Sequence, residues 1–112
     1  MKKIEAIVRP ERVGLVRKAL EEIGYGGITI TEVKGHGVQR GVVQQWRGNT
    51  YIVDTLPKVK LEVVAKDSQV EQIIAAVIEQ GRTGEIGDGK IFVTTVDEAV
   101  RMRTGERGDE AL

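Results

Sequence analysis

The sequence has no cysteine, a single histidine and two prolines in 112 residues. Without cysteine the chain forms neither a disulfide nor a thiolate metal site, and one histidine cannot build a zinc centre. A surplus of charge is also missing, since 17 basic residues balance 17 acidic ones, which argues against non-specific binding to nucleic acid or to a membrane surface. No apolar run is long enough for a signal peptide or a transmembrane helix. We therefore expect one soluble, cytoplasmic domain over residues 1–112, with no direct nucleic-acid contacts and no intrinsic membrane segment.

Apolar periodicity in the first half of the chain predicts a strand, a helix and a second strand. Residues 4–8 alternate in polarity, and Pro10 then favours the start of a helix. Apolar residues at helical spacing follow, and Gly24 is a plausible C-terminal cap. Strand alternation returns over residues 27–33.

The second half repeats these elements. Alternation predicts strands over residues 59–65 and 90–96, with a helix over residues 70–81 between them. Ser68 and Glu71 have the spacing of a capping box at the start of this helix, and Gly81 has the place of its C-terminal cap. The order β-α-β-β-α-β predicts an α+β, ferredoxin-like split βαβ fold, with an antiparallel sheet and both helices on one face.

Two helices on one face leave the other face of the sheet open. The strand residues expected there include Ile7, Val64 and Phe92, which are apolar. A homo-oligomer packed through its sheets would cover them, so we expect an oligomer.

The connection between the halves, residues 35–57, is too long for an ordinary loop in a compact domain. It contains Trp46 and Tyr51, and exposed aromatic residues on a loop favour a binding partner. The alternative is an insertion without function that forms a small extra hairpin from its apolar residues Val42, Val43 and Ile52.

The stretch RTGEIGDGKIF, residues 82–92, combines three glycines with a lysine immediately before a strand. Such glycines let backbone N–H groups turn towards an anion, and Lys90 adds a positive charge, which is typical of a phosphate site. A plain connecting loop would have a similar composition, so both interpretations stay open. The spacing is not that of a Walker motif.

Arg101 and Arg103 stand at alternate positions, so in an extended segment both guanidinium groups point the same way and suit phosphate oxygens. The alternative is a solvated C-terminal tail. His36, in a glycine-rich segment, is more often a local hydrogen-bonding residue than a ligand.

Together these motifs give the chain a resemblance to the nitrogen-regulatory PII signal-transduction family. TGEIGDGKIFV followed by RMRTGE is similar to the family's two C-terminal hallmarks, and MKKIEAIVRP, TEVKGHGVQRG, WRGNTY and LPKVKLEVV extend the likeness along nearly the whole chain. The resemblance implies a homotrimer of the split βαβ fold that holds ATP or ADP in the clefts between subunits. It also implies a flexible T-loop at residues 37–55, a B-loop at residues 82–90 and a C-terminal loop and tail at residues 101–112.

Residue by residue, the resemblance implies a nucleotide site, an effector site and a docking loop. Gln39 would help to ligate Mg²⁺ together with the ATP phosphates and 2-oxoglutarate, while Lys58 would pair with the distal carboxylate of 2-oxoglutarate and Gly87 would lie beside it. Arg101 and Arg103 would reach the phosphates from the neighbouring subunit. The implied nucleotide-binding residues are Thr29, Gly35, Gly37, Val38, Val64, Gly87, Asp88, Gly89, Lys90, Arg101 and Arg103.

The resemblance also implies partners. The string GVQRGVVQQWRGNTYIVDTLPKVK is most similar to family members that pair with ammonium transporters, so Trp46 and Arg47 are the expected docking residues. Glutamine synthetase and other nitrogen-metabolism regulators are further expected partners, and regulation of transcription is a further expected role. Tyr51 is in place for uridylylation, whereas Val38 replaces an arginine that is common in the family and Asn49 replaces a serine that some members phosphorylate.

A non-enzymatic regulator is therefore the leading interpretation of this sequence. The first alternative is an acylphosphatase-like enzyme, although VRPERV lacks the glycine-rich cradle that such chemistry needs and the chain has no Ser-His-Asp set. The second is a structural trimer similar to the divalent-cation-tolerance proteins, which would not need Lys90 and the two arginines.

Overall fold

A computed structural model describes the backbone of residues 1–36, 42–46, 49–53 and 56–112, and the side chains of residues 1–36 and 56–112. It contains six strands and two α-helices within these ranges. The strands are β1 (Lys2–Val8), β2 (Thr29–Gly35), β3 (Val42–Trp46), β4 (Asn49–Val53), β5 (Leu56–Ala65) and β6 (Lys90–Thr95), and the helices are α1 (Val13–Glu22) and α2 (Val70–Gly81).

The main sheet has the strand order β2-β5-β1-β6, and all of its neighbouring strands are antiparallel. Both helices pack on one face, because their buried residues belong to the same apolar core as the inward-facing residues of β1 and β5. This arrangement confirms the predicted α+β, split βαβ fold.

Strict alternation in β1 and β5 determines which face of the sheet is buried. Ile4, Ala6 and Val8 are buried while the residues between them are partly exposed, and β5 shows the same pattern. The helices contribute Val16 and Leu20 from α1 and a matching apolar stripe from α2, at the spacing of one helix face. The periodicity of the sequence therefore identified the buried residues of β1 and β5 and of both helices, except Ile78, which is 41% exposed. The alternation predicted for β2 does not correspond to burial, since Ile30 is 44% exposed.

The helix ends differ in part from the predictions. Gly24 ends α1 as expected, with φ of 98°, and the N–H groups of Gly24 and Tyr25 donate to the carbonyls of Glu21 and Leu20 in a Schellman arrangement.

At α2 two predictions are wrong. Ser68 lies inside a 3-10 turn, Asp67–Gln69, and the helix begins after Gln69 without a side-chain cap, so Ser68 and Glu71 form no capping box. Gly81 is the last residue of the helix and not a cap beyond it. It is buried, and a methyl group there would make ordinary van der Waals contact, at 3.6 Å, with the side chains of Val8 and Val16.

The open face of the sheet carries the predicted apolar residues together with a charged centre. Ile7 and Val64 are partly buried and Phe92 is exposed. Between them, two lysines and two glutamates of β1 and β5 form ion pairs with N–O distances of 3.5 to 4.0 Å. These residues are Lys3, Glu5, Lys60 and Glu62. The two glutamates face each other directly across the strands, and the lysines offset the repulsion between their charges.

The connection between the halves is shorter than predicted and includes a hairpin. β5 begins at Leu56 and pairs with Gly35, so the connection runs over residues 36–55. Within it the backbones of β3 and β4 pair from Val42 opposite Val53 to Trp46 opposite Asn49. The small extra hairpin, which was the alternative interpretation of this segment, is therefore present at the level of the backbone.

Candidate functional site

A cavity of about 520 Å³ opens where β1 and β2 end and where β5 and β6 begin. Its wall combines apolar side chains with two lysines and the glycine-rich stretch before β6. The lining residues are Ile7, Gly35, His36, Leu56, Lys58, Glu85, Gly87, Asp88, Gly89, Lys90 and Phe92.

The strand register brings these distant parts of the chain together. Ile7 near the end of β1 pairs with Lys90 at the start of β6, and Gly35 at the end of β2 pairs with Leu56 at the start of β5. Since all neighbours are antiparallel, the ends of β1 and β2 meet the beginnings of β6 and β5 at one edge of the sheet. The fold thus places the glycine-rich stretch beside Lys58.

Gly89 fits against β1 only because it has no side chain. Its φ is 96°, and a Cβ atom there would lie 1.7 Å from the carbonyl oxygen of Ile7. Any other residue would push the loop away from the strand. This glycine therefore keeps the backbone of residues 87–89 tight against the end of β1.

Asp88 is the hydrogen-bonding centre of the loop formed by residues 82–90, which we call the B-loop. Its Oδ1 accepts from Nε of Arg9 at 3.0 Å and from Oγ1 of Thr83 at 2.5 Å. Its Oδ2 accepts from the backbone N–H groups of Thr83 and Gly84, both at 2.8 Å. The hydrogen bond from the Thr83 hydroxyl, with those from Arg9 and the two amides, holds the pKa of Asp88 far below its ordinary value.

Arg9 also joins the B-loop at a second point. Its Nη2 donates to the backbone carbonyl of Ile86 at 2.8 Å, so one guanidinium binds both the loop backbone and the Asp88 carboxylate. The Arg9 and Asp88 side chains are only 16% and 22% exposed. Their ion pair is therefore better shielded from water than an ordinary surface pair.

Lys58 bridges β5 and the B-loop. Its Nζ donates to the backbone carbonyl of Gly87 at 2.6 Å. Partial burial, followed by the nearby Arg9 charge, lowers the pKa of Lys58, while Glu11 and Asp88 act in the opposite direction. An ammonium group held in this way at the cavity wall suits an anionic ligand.

Six of the residues proposed from the sequence line this cavity together. They are Gly35, Lys58, Gly87, Asp88, Gly89 and Lys90. The cavity wall combines the backbone of the glycine-rich stretch and two lysines with apolar side chains. The first two suit an anionic group of a ligand, and the apolar side chains suit a flat apolar part.

Four other proposed residues do not line the cavity. Thr29 is exposed at the start of β2, and Val64 lies on the open face of the sheet. Arg101 and Arg103 follow the far end of β6, a strand that spans about 17 Å.

Arg101 is held by its own C-terminal segment. Its Nη1 pairs with Oε1 of Glu106 at 2.8 Å, and its Nη2 donates to the carbonyl of Leu112 at 3.2 Å. Arg103 is exposed. One chain therefore does not bring these arginines to the B-loop, and their expected role in a neighbouring subunit stays a prediction.

The remaining proposed residues lie outside what the structure describes. Nothing is described of Gly37, Val38, Gln39 and Arg47, and only the strand backbone is described at Trp46 and Tyr51. Their roles remain predictions.

The structure does not test the expected Mg²⁺ site. Within residues 1–36 and 56–112 there is no group of three His, Cys, Asp or Glu side chains that could hold a metal ion. Gln39, the expected protein ligand, lies outside the described residues, and Mg²⁺ is commonly bound through substrate phosphates with few protein ligands.

Sequence reasoning missed Arg9 and Thr83. The predicted fold could have indicated Arg9. In this fold the first and last strands are antiparallel neighbours, so the residue after β1 must lie beside the residues before β6. Thr83 had no such signal, since its bond to Asp88 depends on the local shape of the loop.

Comparison with known proteins connects this site to a family. The profile of the family described as "Nitrogen regulatory protein P-II" matches residues 1–106. The chain is 56% identical to "Nitrogen regulatory protein P-II" of Azospirillum brasilense and 54% identical to that of Rhodospirillum rubrum, over 100% of both chains in each case. It is 48% identical to "Nitrogen regulatory protein P-II 2" of Methanothermobacter thermautotrophicus, over 100% of this chain and 97% of that one. These relatives are named as regulatory proteins and not as enzymes, and a full-length match at this identity means that the chain belongs to the P-II family of nitrogen regulatory proteins.

Proposed function

We propose that this P-II protein senses adenine nucleotides and 2-oxoglutarate and uses the connection between its halves to regulate an ammonium transporter. The observation that carries the proposal is the cavity in which Lys58, Lys90 and the B-loop glycines converge beside Ile7 and Phe92. An adenine nucleotide combines the two matching properties, a flat apolar base and a chain of phosphates.

The phosphates would lie against the B-loop. Lys90 supplies a charge at the mouth of the loop, and Gly89 keeps the backbone close enough to offer N–H groups. The charge of Asp88 is balanced within the protein by Arg9, so it opposes phosphate binding less than an unpaired carboxylate would.

A complete site would need a second subunit. Arg101 and Arg103 lie beyond the far end of β6, whereas the B-loop precedes this strand. The partly buried Ile7 and Val64 and the exposed Phe92 give a second copy a surface to cover. We propose a homotrimer in which the arginines of one subunit complete the cavity of the next.

2-Oxoglutarate would bind beside the nucleotide through Lys58. The ammonium group of Lys58 donates to the Gly87 carbonyl, so a carboxylate that engages Lys58 would also act on the B-loop. This contact offers a physical route by which effector and nucleotide affect each other's affinity. Mg²⁺ would join the phosphates and 2-oxoglutarate, with Gln39 as its expected protein ligand.

The partner-docking part of the proposal rests on residues 37–55. Their backbone contains a two-stranded hairpin, β3 and β4, that is not paired with the main sheet. Arg47 lies between these strands in sequence, where a long cationic side chain would suit a transporter mouth lined by carbonyl oxygens. No helix in the described residues is long and apolar enough to cross a membrane.

Both alternatives from the sequence analysis are less well supported than this proposal. The relatives are named as regulatory proteins, which argues against an acylphosphatase-like enzyme. The match to the P-II family also argues against a divalent-cation-tolerance protein.

Isothermal titration with ATP and ADP tests the nucleotide part directly. We expect competition between ATP and ADP for one site per subunit. Val38→Arg should tighten ATP binding if position 38 faces the phosphates. Absence of binding by both nucleotides would refute the assignment of the cavity.

A further inference from the structure

The B-loop contains a carboxylate at the point where the proposed function needs to bind an anion. Asp88 lies between Gly87 and Gly89, and all three residues line the cavity. A free carboxylate there would repel phosphate. The side chain therefore needs a role other than contact with the ligand.

The hydrogen bonds of Asp88 indicate what that role is. A carboxylate has about four acceptor positions, and four donors occupy those of Asp88. The donors are Nε of Arg9, Oγ1 of Thr83 and the N–H groups of Thr83 and Gly84. No acceptor position remains for a ligand or a metal ion, and the negative charge is compensated by Arg9.

These bonds join three separate parts of the chain. Thr83 and Gly84 lie at the start of the B-loop, Asp88 lies near its end, and Arg9 directly follows β1. Arg9 also binds the Ile86 carbonyl between the two ends of the loop. The bonds from Thr83 and Gly84 to Asp88 therefore close the B-loop on itself, and Arg9 connects the loop to the end of β1.

We propose that Arg9 and Asp88 are positioning residues, which hold the B-loop in its anion-binding shape without touching the anion. This inference rests on the proposed nucleotide site. It assigns a role to Arg9, and it gives the Asp88 side chain a role different from that of a phosphate ligand. A loop that is already ordered before the ligand binds loses less conformational entropy on binding.

The sign of one substitution separates the two roles. If the Asp88 carboxylate faced the phosphates, Asp88→Asn would remove repulsion and tighten ADP binding. If Asp88 acts through the loop, the same change weakens ADP binding, by about tenfold for the loss of charge-assisted hydrogen bonds. Arg9→Gln should weaken it to a similar degree.

A double-mutant cycle measured by isothermal titration with ADP gives the main test. We expect the Arg9→Gln/Asp88→Asn double variant to lose less ADP affinity than the sum of the two single losses, because both changes break the Arg9–Asp88 ion pair. Arg17→Gln and Asp97→Asn, exposed residues outside the cavity, are the charge-matched controls and should bind like wild type. Unchanged or tighter binding in Asp88→Asn, or losses that add fully in the double variant, would overturn the proposal.

Amide hydrogen exchange in ligand-free protein gives a second readout that does not depend on nucleotide binding. The N–H groups of Thr83 and Gly84 should be protected in wild type and exchange faster in Asp88→Ala and Arg9→Gln, while core amides of β1 keep their protection. If the amides of Thr83 and Gly84 exchange at the same rate in wild type and in both variants, the proposal is overturned. If wild type binds no ADP but Thr83 and Gly84 respond as expected, the proposed nucleotide function fails and the positioning of the loop stands.

Discussion

Gly89 offers a sharp test of how the B-loop is built, through the substitution Gly89→Ala. The added Cβ would lie 1.7 Å from the Ile7 carbonyl oxygen, more than an ångström inside the 3.0 Å limit below which such contacts are essentially never seen. The residue also has φ of 96°, which an alanine rarely adopts. The loop would have to move away from β1 and would weaken the pairing of Ile7 with Lys90.

The expected loss has separable parts. Positive φ costs an alanine about 1–2 kcal/mol. Overpacking adds about 1–3 kcal/mol, and each lost hydrogen bond adds about 1 kcal/mol. With one lost hydrogen bond, we therefore expect Gly89→Ala to lower the free energy of unfolding by about 3–6 kcal/mol in total.

Gly84→Ala is the matched control, because Gly84 has a similar φ of 90° but, apart from its two chain neighbours, none of the residues that the structure describes comes within 4 Å of the position that an added methyl group would take. It should lose only the conformational part, about 1–2 kcal/mol. Urea denaturation at one fixed protein concentration measures both variants, since the proposed trimer would make apparent stability depend on concentration. Equal losses in the two variants would refute the close approach of Gly89 to Ile7.

Three further predictions address assembly, docking and pH. Mixing Lys90→Ala subunits with Arg103→Ala subunits should restore part of the ADP binding that each variant lacks, and mixed oligomers that bind no better than either variant would contradict a shared site. Arg47→Ala should abolish co-sedimentation with transporter-containing membranes in ADP while nucleotide titrations stay normal, and retained co-sedimentation would exclude Arg47 as the docking residue. Because its hydrogen bonds, first that from Thr83, lower the pKa of Asp88 in the fold, its contribution to stability is present above the unfolded value of about 3.9 and is lost as the pH falls through the folded value. The stability difference between wild type and Asp88→Asn should therefore shrink between about pH 6 and pH 2, and a constant difference would contradict the assignment.

Local periodicity was sufficient to predict the fold. The alternation of Ile4, Ala6 and Val8 and the helical spacing of Val16 and Leu20 reflect burial against a single core. These patterns therefore predicted each strand of the main sheet and both helices. The boundaries were less accurate, because pairing with Gly35 extends β5 back to Leu56 and no pattern in the sequence marks that partner.

Helix ends and the site depended on contacts that a sequence pattern does not encode. Ser68 and Glu71 had the spacing of a capping box, but a 3-10 turn occupies this position and the helix starts later. The glycines and Lys90 marked the B-loop, whereas the bonds from Arg9 and Thr83 to Asp88 form only after β1 and β6 pair. The family resemblance indicated candidate ligands. The structure then showed which of the described residues share a cavity.

The proposed coupling between nucleotide and 2-oxoglutarate in the cavity can be measured by calorimetric titration of 2-oxoglutarate with and without Mg-ATP. We predict binding in the presence of Mg-ATP and none in its absence, with 2-oxoglutarate tightening ATP binding by the reciprocal factor. Equal affinity for 2-oxoglutarate in both titrations would show that the two ligands are not coupled.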